Sequence, residues 1–176
     1  MSRKRSSGTE VFFDAVDSPI GTLYLICDGR RLCGIAFDRP SSPIRKGSAS
    51  PVIKKELAEY FDSGRSEFTH EVSFRSGTAF EKAVWSAARE IPYGETRTYK
   101  WIAEKIGKPG AARAVGQALS RNPIPILVPC HRVIESDGSL GGYSGGVERK
   151  RRLLDIEYYV TLSRASTQQK GDEKSS

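Results

Sequence analysis

Residues Thr98 to Asn122 read TYKWIAEKIGKPGAARAVGQALSRN. Tyr99, Ile102, Ala103 and Ile106 recur at the three-to-four spacing of one helix face, so a short helix is expected there. GKPG, residues 107–110, stops it, because proline and glycine both oppose a helix interior. A second helix follows, with Ala111, Ala114, Val115, Ala118 and Leu119 inward and Arg113, Gln117, Ser120 and Arg121 outward. Two short helices around a glycine-containing turn make a helix-turn-helix. The other side chains of the second helix are small, which suits close approach to another surface. An internal helix–helix contact satisfies that pattern equally well, and it is the outward charge that points to a phosphate-bearing partner.

Upstream, Thr78 followed by Glu81 forms a capping box that opens a helix with Phe80, Val84, Trp85 and Ala88 on one face. IPYGE, residues 91–95, ends it. A domain boundary is expected at residues 75–77. Before it, EVFFDAV (10–16), GTLYLIC (21–27) and RLCGIAF (31–37) are rich in β-branched and aromatic residues, and Asp28-Gly29 is a hairpin turn signal. RPSSPIRKGSAS (39–50) reads as loop, and Ile53, Leu57, Tyr60 and Phe61 mark an amphipathic helix over 51–62. FTHEVSF (68–74) is expected to close the sheet. The fold class is therefore α+β: residues 8–75 form a small sheet with a helix, and residues 76–160 a mostly helical domain carrying the helix-turn-helix. The polar residues 162–176 are expected to lack fixed structure.

The 176 residues suffice for a real core, and the net charge of +7 leans toward an anionic partner without proving one. Three cysteines, Cys27, Cys33 and Cys130, are too few and too odd in number for a disulfide scaffold. Cys27 and Cys33 read as small apolar strand residues. With His70 and His131 the only histidines, no close ligand set of the kind zinc prefers is present, and no metal is expected. There is no continuous apolar signal segment or membrane-length run, so a soluble, intracellular protein is expected, cytoplasmic, or nuclear in a eukaryote.

Downstream of the helix pair comes PILVPCHRVI, Pro125 to Ile134, a cysteine beside a histidine at the end of an apolar run. Adjacent side chains need not face each other, and a buried cysteine next to a bonded histidine is the plain reading. A thiol reacts as its thiolate, however, and a histidine oriented by a third group removes its proton effectively. Glu157 is available as that group, and Asn122 is placed to hold the preceding turn. The loop DGSLGGYSGG (137–146) carries five glycines around Tyr143 and Ser144, so its backbone can approach a flat ligand. It is neither a P-loop nor a dinucleotide fingerprint. The basic run VERKRR (147–152) reads as a solvated helix face.

IPYGETRTY (91–99), AARAVGQALSRNPIPILVPCHRVI (111–134) and GGYSGG (141–146) together resemble the active domain of the O6-alkylguanine-DNA alkyltransferase family, also called methylated-DNA–protein-cysteine methyltransferases. The likeness runs from about Thr78 to Glu157. It implies DNA repair by a single, irreversible transfer of an alkyl group from O6-alkylguanine, and from O4-alkylthymine, to Cys130. His131 acts through a water as base, oriented by Glu157, with Asn122 bracing the turn. Tyr99 protonates or hydrogen-bonds the guanine ring. Tyr143, Leu119, Ser144 and Gly145 shape the pocket, and the backbone of Val133 receives the exocyclic amine. Arg113 is implied as the finger that replaces the flipped nucleotide, while Ala112, Gln117, Ser120 and Arg121 meet double-stranded DNA through the minor groove. No cofactor is implied, and a monomer is expected. Some eukaryotic relatives hold zinc in the first domain, but Cys27, Cys33 and His70 do not supply a matching set.

Two other readings use the same residues. Lesion-flagging relatives bind damage without repairing it, but they replace the acceptor cysteine, commonly by tryptophan. An alkylation-responsive regulator would need an effector module beyond the two lobes.

Overall fold

Strand-forming residues near the N-terminus assemble an antiparallel meander. In the computed structural model, which describes residues 10–41 and 43–172, β1 (Val11–Val16) pairs with β2 (Leu23–Asp28), and β2 with β3 (Arg31–Ala36). Gly29 takes φ 61° in the hairpin turn, a conformation that costs glycine nothing. Alternation along β2 buries Leu23, Leu25 and Cys27 on the face that meets α1 (Pro51–Ser63). Ser50 caps α1 by accepting the Val52 N–H at 3.2 Å, Pro51 starts it, and Gly64 ends it in the left-handed conformation. Its buried face carries Ile53, Leu57, Tyr60 and Phe61, as the spacing predicts.

Two details of this sheet differ from expectation. The fourth strand is β4 (Arg45–Lys46), inside the stretch read as loop, and it lies parallel to β1. β2 occupies one edge of β1 and leaves the other open to the chain, which crosses it on the way to α1, with Gly47 N donating to Phe13 O at 2.8 Å. FTHEVSF, by contrast, makes only one parallel bridge, Val72 to Leu32. The N–H groups of Thr69 and His70 are taken by the buried Glu56 carboxylate instead of a ladder. Phe74 then turns in to pack against both hydrophobic clusters.

The capping box expected at Thr78 is present: Thr78 Oγ1 accepts Glu81 N–H at 3.1 Å, and Thr78 N–H donates to Glu81 Oε2 at 2.8 Å. It opens α2 (Ala79–Arg89), whose Val84, Trp85 and Ala88 are buried. Thr78→Ala should lower stability by about 1 kcal/mol in urea unfolding; an unchanged midpoint would mean the cap is idle. β5 (Arg97–Thr98), α3 (Tyr99–Lys105) and α4 (Ala112–Ser120) follow. α4 packs on α2 and α3, and Trp85 Nε1 donates to Ala118 O at 2.8 Å. Val115, Ala118 and Leu119 are buried as expected, but Ala114 is exposed, because the buried stripe of so short a helix is only one turn-row wide.

After α4 the chain makes the turn that carries Cys130 and enters β6 (Val133–Ile134), parallel to β5 with Arg97 opposite Val133 and Thr98 opposite Ile134. This small ladder sets Tyr99, the next residue after β5, beside the turn that carries Cys130. α5 (Val147–Asp172) then returns across α1 and continues well past Leu162, where a structureless tail was expected. No proline interrupts it, and Ser163, Ser166 and Thr167 bond back to carbonyls four residues earlier. The last four residues of the expected tail, like Gly8 and Thr9 of the first lobe, lie outside the described residues.

The architecture is α+β, with two hydrophobic clusters. One joins the sheet and α1 but also recruits Ile124, Ile126, Leu127 and Leu153; the other joins α2, α3 and α4 with Val128, Cys130 and Val133. The segment leading to Cys130 is thus clamped between them. No helix among the described residues is long and apolar enough to cross a membrane.

Candidate active site

Asn122 organises the approach to the cysteine. Its Oδ1 accepts Ile124 N–H at 3.0 Å, and its Nδ2 donates to Val128 O at 2.9 Å and to Cys130 Sγ at 3.2 Å. One side chain therefore both holds the turn and touches the thiol. Ile126, inside that turn, has φ 77°, a conformation that strains a β-branched residue by about 1–3 kcal/mol. Burial in the cluster of the sheet and α1 holds it there. Cys130 opens a short 3-10 turn, Cys130–Arg132, and is only 5% exposed. Burial pushes its thiol up, while the Asn122 hydrogen bond and the Lys150 charge pull it back.

Behind the cysteine lies a buried polar network. His131 Nε2 is 2.7 Å from Glu157 Oε1, and Tyr60 donates its hydroxyl to the same oxygen at 2.6 Å. Arg132 grips the carboxylate through Nε (2.9 Å) and Nη2 (2.9 Å) and donates Nη1 to Ile91 O. Gly94 N–H supplies another bond to Glu157 Oε2 at 3.0 Å. Burial alone would push the Glu157 carboxyl up, but His131 and Arg132 outweigh it and hold it well below the usual carboxylate range. For His131 burial wins over Glu157, and its pKa is lowered, so the imidazole is neutral at pH 7. His131 Nδ1 is buried and has no hydrogen-bond partner among the described residues.

In front of the cysteine is a cavity of about 620 Å³. Of the residues singled out in the sequence, Tyr99, Ala112, Arg113, Gln117, Leu119, Ser120, Cys130, Tyr143 and Ser144 line it. Burial raises the Tyr99 phenol, with Glu135 and Cys130 adding to it, so Tyr99 keeps its proton and can donate. Tyr143 is also raised, by burial and by Cys130, and its hydroxyl is buried without a hydrogen-bond partner among the described residues. Three expected site residues stand elsewhere. Gly145 does not line the cavity, and any Cβ on it would strike the Phe37 ring. Val133 is buried, with its carbonyl taking a bond from Lys150. Arg121 turns to Glu81 at 2.9 Å rather than into the cavity.

Lys150 is the largest surprise. Read as part of a solvated basic run, it is fully buried, and its ammonium donates to the carbonyls of Val133 (2.6 Å), Leu140 and Gly142 (3.3 Å). It pins the glycine loop to the end of the Cys130 turn. Burial draws its pKa down to about 8, against the pull of Cys130 and Glu135. The signal was available: Lys150, Leu153 and Glu157 lie at i, i+3 and i+7 on one face, and all three are buried. Tyr60 and Arg132 were likewise missed as members of the site, as were the lining residues Gly116, Glu135 and Gly142. Among the described residues no group of three or more His, Cys, Asp or Glu side chains is placed to hold a metal.

Residues 79–159 match the family described as 6-O-methylguanine DNA methyltransferase, DNA binding domain. The methylated-DNA–protein-cysteine methyltransferase of Mycobacterium leprae is 46% identical over 155 residues, 85% of this chain and 93% of its own. That of Methanosarcina barkeri is 43% identical, over 84% of this chain and 97% of its own. The crystal structure of Mycobacterium tuberculosis OGT in complex with DNA superposes with a TM-score of 0.79 at 45% identity, covering 85% of this chain and 94% of that one.

Proposed function

The chain belongs to the methylated-DNA–protein-cysteine methyltransferase family, and from that membership we propose that it repairs O6-alkylguanine in DNA by moving the alkyl group onto Cys130 Sγ. The observation that carries this reading is the position of that sulfur: it lines a cavity walled by Tyr99, Tyr143 and Ser144, in the residue next to a buried imidazole paired with a carboxylate.

The O6 substituent is inaccessible within a duplex, so the nucleotide is extruded into the cavity at a cost of about a few kcal/mol of stacking and pairing. Arg113, exposed at the start of α4 on the cavity rim, fills the gap. α4, as the second helix of a helix-turn-helix, enters the minor groove, where its alanines and glycine permit close approach. Gln117 and Ser120 contact the backbone there, and Arg121, with 68% of its side chain exposed, is available beside them despite its ion pair. Attack then forms the sulfur–carbon bond and breaks the carbon–O6 bond, and the electron pair moves into the guanine ring. Tyr99 donates its proton or a hydrogen bond to that ring, which improves the leaving group. The thiol proton passes through a water to His131 Nδ1, the ring nitrogen without a hydrogen-bond partner among the described residues. A thioether sulfur is a poor leaving group, so each molecule reacts once. O4-alkylthymine presents the same kind of alkyl–oxygen bond and is a second substrate.

No cofactor takes part. Residues 8–75 act as the supporting domain and 76–160 as the DNA-binding and transfer domain of a cytoplasmic monomer.

The reading is tested by titrating the protein against a duplex with one O6-methylguanine and quantifying restored guanine by chromatography. Restoration that stops at one per protein molecule supports it; tight binding without restoration would move the protein to the lesion-flagging class. Arg113→Ala should slow repair of duplex by about ten-fold or more while hardly changing attack on free O6-benzylguanine. Equal losses on both substrates would remove the finger assignment.

A further inference from the structure

Tyr60 belongs to α1, in the first lobe, and its hydroxyl oxygen lies 2.6 Å from Glu157 Oε1 and 3.3 Å from His131 Nε2. Its ring is held edge-on against Phe61 (centroids 4.9 Å apart) and Tyr93 (5.4 Å), and no part of it is exposed. An ionised carboxylate only accepts, so the Tyr60 hydrogen points to Glu157. His131 Nε2, also within 2.7 Å of that oxygen, must carry a hydrogen too, which Tyr60 Oη can share as a second acceptor. Nδ1 is then the ring nitrogen with a free lone pair.

We propose that Tyr60 is a positioning residue for alkyl transfer: its hydroxyl shares the charge of Glu157 with His131 and fixes the imidazole in the Nε2–H form, leaving Nδ1 as the base. The supporting domain thereby completes the proton-accepting side of the site. Each donor to the carboxylate reduces its hold on a protonated imidazole. Removing the Tyr60 donor strengthens that hold and stabilises imidazolium, the form that cannot accept the thiol proton. The titratable and charged groups around the imidazole are Glu157 and Lys150 from α5, Cys130 and Arg132 from its own turn, and Tyr60 from α1; Tyr93 covers Arg132. Of these, only Tyr60 is altered in the test.

This inference rests on the alkyl-transfer reading, and its test has two arms. Tyr60→Phe keeps the ring and removes the hydroxyl. Single-turnover transfer from an O6-methylguanine duplex should fall about three-fold on the acid limb of the rate profile, where imidazolium accumulates, and that limb should move up by about half a pH unit or more. Lesion-duplex affinity should stay within about two-fold of wild type. An unchanged rate, or a slower one with an unmoved acid limb, overturns the proposal, the second outcome marking a packing role only. The other arm is nitrogen-15 NMR of the imidazoles, tractable because the chain has 2 histidines. It should show wild-type His131 as the Nε2–H tautomer, titrating at lower pH than in Tyr60→Phe. An Nδ1–H tautomer, or identical titrations, overturns the proposal even if wild type transfers nothing, a result that would separately refute the transfer reading.

Discussion

Cys130→Ala loses alkyl transfer by ~10⁴-fold or more while still binding lesion duplex. No other group on the cavity wall is a comparable nucleophile: the lining hydroxyls are Tyr99, Ser120, Tyr143 and Ser144, and the two tyrosines are held protonated by burial. Cys27 and Cys33 are buried with the sheet, and burial raises both thiols, Cys27 to about 11. The fold should survive the change. Asn122 keeps its bonds to Val128 O and Ile124 N–H when the sulfur is removed, so the turn retains its brace. Restored guanine and a thermal melt together check this. Residual transfer within about 100-fold of wild type would mean that another residue accepts the alkyl group.

Glu157→Ala should cost about 3–5 kcal/mol of stability, a large share of what a domain of this size possesses. The carboxylate is fully buried and satisfies Arg132, His131, Tyr60 and the Gly94 N–H at once. Its loss strands a guanidinium that is itself only 4% exposed. The same network gives an acid dependence. The Glu157 pKa is depressed on folding, so its contribution is fully present above the unfolded carboxylate value of about 4.3. It is lost as pH falls through the lower folded value. Wild type should therefore lose stability progressively below about pH 4.3, and Glu157→Gln less steeply. Urea unfolding at several pH values measures both effects; a Glu157→Ala penalty under about 1 kcal/mol would show that the network contributes little.

Local signals were legible wherever a residue's fate depended on its near neighbours in the chain. The hairpin at Gly29, the capping box at Thr78, the buried face of α1 and the outward set on α4 all arise within a few residues and match the structure. Misreadings came where a distant partner decided the outcome. β4 exists because an edge of β1 more than thirty positions away accepts it, and FTHEVSF is reduced to a single bridge to Leu32 because Glu56 claims the Thr69 and His70 donors. Tyr60 reads as an ordinary apolar contact of α1, since its partners lie 71 and 97 positions onward. Lys150 shows the bias of composition: a lysine among arginines reads as solvated unless helix phase is followed through Leu153 to Glu157. The cysteine, its imidazole neighbour and Tyr143 in its glycine loop were singled out from local sequence, whereas the pocket role of Tyr99 came only through the family resemblance. That Gly145 serves packing against Phe37 was not legible, since that contact crosses from one lobe to the other.

Intact-protein mass spectrometry with peptide mapping, after incubation with an excess of O6-methylguanine duplex, reads out whether Cys130 is the irreversible acceptor. One added methyl group per molecule is expected, located on Cys130 and absent from Cys130→Ala. A saturating adduct on a different residue, or an unmodified protein left bound to unrepaired DNA, would contradict it.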